Sequence, residues 1–291
     1  MRELTILNIT GLLILSLCVI SCTPANLQES VDTVGFVVSI LPQQEFVRSV
    51  GGDRVEITVM VPPGASPHSY EVTPAQMVKL SRAKIYAKVG SPIEFEITWL
   101  DKLIAVNKNM LVIDCSKGIE LIHSNDPDEP GMDPHIWTSV SNVKIMVQNI
   151  CEGLSQVDPT NRAFYEKNRD AYLGKLDTLD KDIRSNLDGV NNRSFIVYHP
   201  AWCYFAHDYG LKQQGIEQEG KEPKAAYMAR LITEAKSQNI KVIFVSPEFD
   251  ARNAETIARE IGGRVVIIDP LAGDFLENMR NVARALKEAF R

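Results

Sequence analysis

The sequence predicts an α/β protein of two lobes, each a mainly parallel sheet flanked by helices, joined by one long rigid helix. Three observations carry this expectation. Apolar, β-branched runs alternate with helical stretches from residue 33 to about 114 and again from 194 onward, which is the pattern of βα units. Between those halves, 159–187 is dense in charge and holds no proline beyond Pro159 and no glycine but Gly174. Finally His68, His135, His199 and Asp269 each sit just past a strand-like run, at intervals of 67, 64 and 70 residues.

The elements follow in order. Residues 1–22 are expected to lie outside the fold: Arg2 gives a thin positive start, Leu4 to Ile20 is largely apolar, and Val19-Ile20-Ser21-Cys22 resembles a lipobox. The apolar run is short for a membrane span of roughly 20 residues. Cys22 is therefore the expected first mature, lipidated residue, and 23–32 a tether holding a soluble domain to a membrane surface without spanning it. The first lobe is assigned to 33–157. It starts with the strand Thr33 to Ile40 and a short helix in PQQEFVRSVGG, then the strand Val55 to Val61 and the turn-rich PPGASPH. Thr73-Pro74 opens a helix, with threonine as N-cap and proline at the first helical position. A strand at Lys84 to Val89, a helix at Glu94 to Ile104, a strand at Leu111 to Asp114 and a helix from near Ser139 complete the lobe.

The linking helix is assigned to 158–190. Asp158 caps it, Tyr165, Tyr172, Leu176 and Leu179 fall at helical intervals, and roughly 28 residues at 1.5 Å each give about 40 Å. The second lobe, 191–291, restarts the alternation. Its strands are Ser194 to Tyr198, Val242 to Val245 and Val265 to Ile268. Helices are expected near 201–209, from Lys224 to Gln238, near 251–261 and from Phe275 to the end.

Composition excludes some functions. A formal charge of −6 with no lysine- or arginine-rich stripe argues against nucleic acid, and no glycine-rich phosphate loop supports a nucleotide. Of five cysteines, Cys18 and Cys22 belong to the leader. Cys115, Cys151 and Cys203 are read as small buried hydrophobes rather than a disulfide framework.

The four spaced residues carry the chemistry. Imidazoles with one carboxylate suit Zn²⁺ better than Ca²⁺ or Mg²⁺, which prefer oxygen shells. His68 lies in a loop stiffened by Pro62, Pro63 and Pro67. His135 sits in Asp133-Pro134-His135-Ile136-Trp137, where Asp133 can accept a hydrogen bond from the second ring nitrogen. Trp137 and Tyr70 are further neighbours of the site. His199 directly follows a strand, the position where open α/β sheets bind ligands, and Asp269 repeats that geometry, although Asp before Pro also starts turns. Two ligands per lobe would face each other across a cleft.

The segments PHSYEVTPAQ, DPHIWTSVSN, YHPAWCYFAHDYGL, GIEQEGKEPKAAYMARLI and AETIAREIGGRVVIIDPLAGDFLENM make the resemblance specific. Over 33–291 the chain resembles the metal-binding lipoproteins of bacterial zinc/manganese ABC importers, the zinc branch of the cluster A-I solute-binding proteins. That resemblance implies an extracytoplasmic monomer, not an enzyme, which takes Zn²⁺ on His68, His135, His199 and Asp269 and delivers it to an ABC permease. Manganese and iron branches of the family carry glutamate where this chain has His199, and three imidazoles favour zinc over the harder Mn²⁺. Val72, Thr138, Val140 and Cys203 depart from the family pattern around the ligands. A histidine-rich loop of some zinc members is replaced by the short acidic stretch 123–130. Two alternatives stay open: a manganese or iron carrier of the same class, and a secreted zinc hydrolase with three histidines and an open position. Against the hydrolase, the sequence holds no His-Glu-x-x-His helix.

Overall fold

The computed structural model describes residues 33–123, 131–190, 192–217 and 223–290. The expected leader, Cys22, the tether and acidic residues 124–130 lie outside them. Strands β1 (Val34–Val38), β2 (Val55–Val59), β3 (Ile85–Lys88) and β4 (Leu111–Asp114) form one sheet in the order β2-β1-β3-β4, parallel throughout. Strands β5 (Ser194–Val197), β6 (Lys212–Gly215), β7 (Val242–Val245) and β8 (Arg264–Ile267) form a second parallel sheet in the order β6-β5-β7-β8. The two sheets thus repeat one topology. In each, the chain leaves the first strand for one edge and then crosses to the other side, which creates a switch point beside that first strand. Clefts at the carboxyl ends of strands open at such points.

Around the first sheet run helices α1 (Pro42–Gly51), α2 (Pro74–Leu80), α3 (Glu94–Val106) and α4 (Val140–Val157). Helix α5 (Arg162–Asn186) follows, led by a 3-10 turn at Pro159–Asn161, and links the lobes. The second sheet carries α6 (Cys203–Tyr209), α7 (Ala225–Ser237), α8 (Arg252–Glu260) and α9 (Phe275–Ala289). The strand β6 is absent from the sequence reading. Its residues, Lys-Gln-Gln-Gly, have no apolar run, because it is an edge strand, paired only with β5, that gives just Gln213 to the interior. Parallel edge pairing needs backbone partners rather than β-branched side chains.

Side-chain alternation along the inner strands explains how the lobes are joined. Phe36 and Val38 of β1, Ile85 and Ala87 of β3, Phe195 and Val197 of β5, and Val242 and Phe244 of β7 all enter one continuous apolar core. Their sequence neighbours face the other way: Val37 and Tyr86 into a small cluster of the first lobe, Ile196, Ile243 and Val245 into one of the second. Strands covered on both faces read as unbroken hydrophobic runs. Helix α5 lies in the shared core through Tyr165, Tyr172, Leu176, Leu179 and Ile183, a stripe at three- to four-residue spacing, and packs against α1, α4 and α9. Its 25 residues correspond to about 37 Å.

Polar contacts pin the same seam. The Glu45 carboxylate of α1 accepts the Tyr172 hydroxyl of α5 at 2.6 Å and the Phe275 N–H that opens α9. Tyr204 of α6 donates to the Asp133 carbonyl at 3.0 Å, and Ser139 donates to Asp208 at 2.6 Å. Cys115, Cys151 and Cys203 are buried and form no disulfide. Among the described residues no helix is long and apolar enough to cross a membrane.

Candidate metal centre

Three loops deliver the three imidazoles. His68 comes from the loop between β2 and α2. This loop is closed by backbone turns at Pro62–Ala65 and Ser66–Tyr70 and anchored by a capping box, in which Thr73 accepts the Gln76 N–H and Gln76 accepts the Thr73 N–H. Gln76 also reaches back to the Met60 carbonyl at 2.5 Å. Tyr70 spends its hydroxyl on Gln76 at 3.0 Å and its ring faces Phe95, so it braces this loop rather than lining the centre. His135 precedes a 3-10 turn, Ile136–Thr138, and His199 stands two residues beyond β5 at the second sheet's switch point.

The rings converge. His199 Nε2 lies 3.2 Å from His68 Nε2 and 3.2 Å from His135 Nε2. All three donor atoms fall within 4.8 Å of one another. Tetrahedral zinc with Zn–N bonds of about 2.05 Å sets its nitrogens about 3.3 Å apart, so the spacing suits a shared cation. Each ring has a carboxylate behind it. His68 Nδ1 meets Glu94 at 3.0 Å, His135 Nδ1 meets Asp133 at 3.2 Å, and His199 Nδ1 meets Glu217 at 2.8 Å. A proton held on Nδ1 by a carboxylate leaves the Nε2 lone pair free for a metal. Asp133 also accepts the His135 backbone N–H at 2.8 Å, which fixes it against the loop it serves.

Burial sets the electrostatics. His135 and His199 side chains are 8 % and 7 % exposed, whereas His68 is 31 % exposed. Burial pushes the His199 pKa down to about 4, with the other two imidazoles adding to the shift against the pull of Glu217. Burial alone would raise the Glu94 carboxyl, but its hydrogen bond to His68 and the charge it shares with that ring leave it below the ordinary range. Trp137 stands edge-on to His135 at 5.2 Å and donates its indole N–H to the Pro270 carbonyl at 2.8 Å, tying the first lobe's ligand loop to the second lobe. Phe249 stacks on His199 at 4.9 Å and 22°.

Asp269 stands apart from the three rings. Its carboxylate accepts the Leu271 N–H at 2.7 Å and its carbonyl takes the Asn278 amide at 2.6 Å. It lines an adjoining cavity with Pro62–Ala65 and Leu271–Asp274, while the pocket holding the three imidazoles is lined by Glu248 instead. Burial and the adjacent Asp269 carboxylate push the Glu248 pKa up to about 7, and burial also raises Asp269. Sequence reading missed Glu94, Glu217, Glu248 and Phe249. Glu248 stands just past β7, the same rule that picked out the histidines, and Glu94 opens α3 after the β3 turn, but glutamate is too common for either position to mark it. Glu217 follows β6, whose strand character the sequence hides. His207 is exposed, beside Asp208.

The family model for ZnuA, described as zinc-uptake complex component A, periplasmic, matches residues 36–289. The chain belongs to this family. The high-affinity zinc uptake system protein ZnuA of Bacillus subtilis (strain 168) is 29 % identical over 284 residues, covering 91 % of this chain and 89 % of that protein. A crystal structure of ZnuA superimposes with a TM-score of 0.86 at 41 % identity, covering 89 % of this chain and all of the other. A zinc-bound ZnuA deletion mutant gives 0.85 at 41 %, covering 89 % and 98 %. The chain spans about half (55 %) of a longer relative, the zinc-binding lipoprotein AdcA of Streptococcus pneumoniae (strain ATCC BAA-255 / R6), with 29 % identity over 90 % of its own length.

Proposed function

We propose that the chain is the extracytoplasmic zinc-capturing subunit of an ABC uptake system, which takes Zn²⁺ between its lobes and delivers it to a membrane permease. The convergence of three Nε2 atoms, each backed by a carboxylate, carries this reading. Membership of a zinc-uptake family supports the transport role, and the zinc-bound relative supports zinc as the cargo. The subunit binds and releases; it is not an enzyme. His68, His135 and His199 are the proposed ligands, completed by a carboxylate from the Asp269 and Glu248 pair. Asp133, Glu94 and Glu217 orient the rings, and Trp137 holds the His135 loop. Cys22 is the proposed lipid-anchored residue, with 23–32 as the tether, 33–157 and 191–291 as the lobes and 158–190 between them, working as a monomer. The lipoprotein naming of AdcA is consistent with the anchor.

Competitive titration of the metal-stripped protein with Zn²⁺ against Mn²⁺ tests the reading. Zinc should win by a wide margin, since three imidazoles are poor partners for Mn²⁺, and His199→Glu should narrow the gap. Equal affinity for the two ions in the unaltered protein would defeat it.

A further inference from the structure

Three imidazoles leave a tetrahedral cation one donor short. Glu248 follows β7 by three residues and, among the described residues, is the one side chain with a carboxylate that lines both the imidazole pocket and the cavity behind it. It therefore stands between the rings and Asp269. The two acids differ in what already occupies them. Asp269 is committed to the Leu271 N–H. Glu248 shares a side-chain hydrogen bond with Asp269, while its Oε2 is buried with no hydrogen-bond donor among the described residues. A buried carboxylate oxygen without a donor is costly unless a cation or proton meets it. The backbone that carries it is also fixed, because the next residue, Phe249, stacks on the His199 ring.

We propose that Glu248 supplies the oxygen that completes the zinc shell, and that Asp269 is a positioning residue which holds Glu248 toward the three imidazoles. The proposal rests on the zinc-binding reading given above and names the carboxylate within it. It makes the site a three-nitrogen, one-oxygen cage built from the ends of β5 and β7 on one side and two first-lobe loops on the other. Glu94, although it lines the same pocket, is already engaged by His68 Nδ1.

The test loads the metal-stripped protein and its Glu248→Gln, Glu248→Ala and Asp269→Asn variants with Co²⁺ as a spectroscopic stand-in, and measures zinc Kd by competition. Thermal unfolding without metal checks that each variant folds. Both Glu248 variants should alter the position or intensity of the Co²⁺ visible bands and raise the zinc Kd at least tenfold. Asp269→Asn should leave the band positions in place and raise Kd by less. Loss of negative charge alone would weaken binding in all three without moving the bands, and that result overturns the proposal. So does a band shift in Asp269→Asn, or unchanged bands in both Glu248 variants. Failure of the unaltered protein to bind one Co²⁺ or Zn²⁺ would instead strike the zinc-binding reading itself.

Discussion

His199 is kept neutral by its surroundings, and that has a measurable cost. An unfolded histidine takes a proton near pH 6.5, while in the fold burial delays protonation to about pH 4. The sign follows from the depressed value. As pH falls from 6.5 toward 4 the unfolded chain binds the proton first, so metal-free stability drops across that window by up to about 3 kcal/mol, then levels. Urea unfolding at pH 6.5 and 4.5 should show this loss in the unaltered protein and a clearly smaller one in His199→Gln; an equal loss in the two proteins would refute it. Residues that act through the rings should be felt in affinity: Glu217→Gln should weaken zinc binding about 10- to 100-fold, the usual effect of removing a ligand's hydrogen-bond partner, as read by competitive titration. The imidazoles were legible in sequence because histidine is scarce, with five in the chain. Their carboxylate partners were not, since any of many acids fits the same description until the strands place them.

At the scale of elements, the loops matter more than the strands. The loop bearing His68 is held by prolines on one side and the Thr73 capping box on the other, so Thr73→Ala should cost about 1 kcal/mol in urea unfolding. Gly90 makes the turn from β3 toward Glu94 with φ of 88°, and a Cβ there would come within 2.1 Å of the Asp114 carboxylate. Gly90→Ala should therefore destabilise by about 2 kcal/mol or more, visible as a lowered Tm with the Co²⁺ visible bands of the folded fraction unchanged. Of the eight strands among the described residues, seven could be read from apolar runs, and the helices from caps and periodicity. β6 escaped because an edge strand needs no such run. Of the acid pair, Asp269 was legible from its place directly after a strand, whereas Glu248 escaped because one glutamate among many carries no mark until the fold sets it beside Asp269.

Across the whole molecule, the shared core predicts that the lobes unfold together. Helix α5 contributes Leu176 and Leu179 to packing that includes strands of both sheets, so Leu176→Ala should cost about 2–5 kcal/mol. Circular dichroism and tryptophan fluorescence should still report one coincident transition; two separate transitions would show independent lobes.

That common core also decides how the ion can leave. Halves that share one interior cannot swing apart like jaws, and release becomes a matter of ligand exchange. Of the three rings His68 alone is substantially open to solvent, so an incoming acceptor meets the ion on that side and replaces donors one after another. Transfer to a soluble chelator should then speed up in proportion to chelator concentration, where a jaw-like opening would give a rate that saturates.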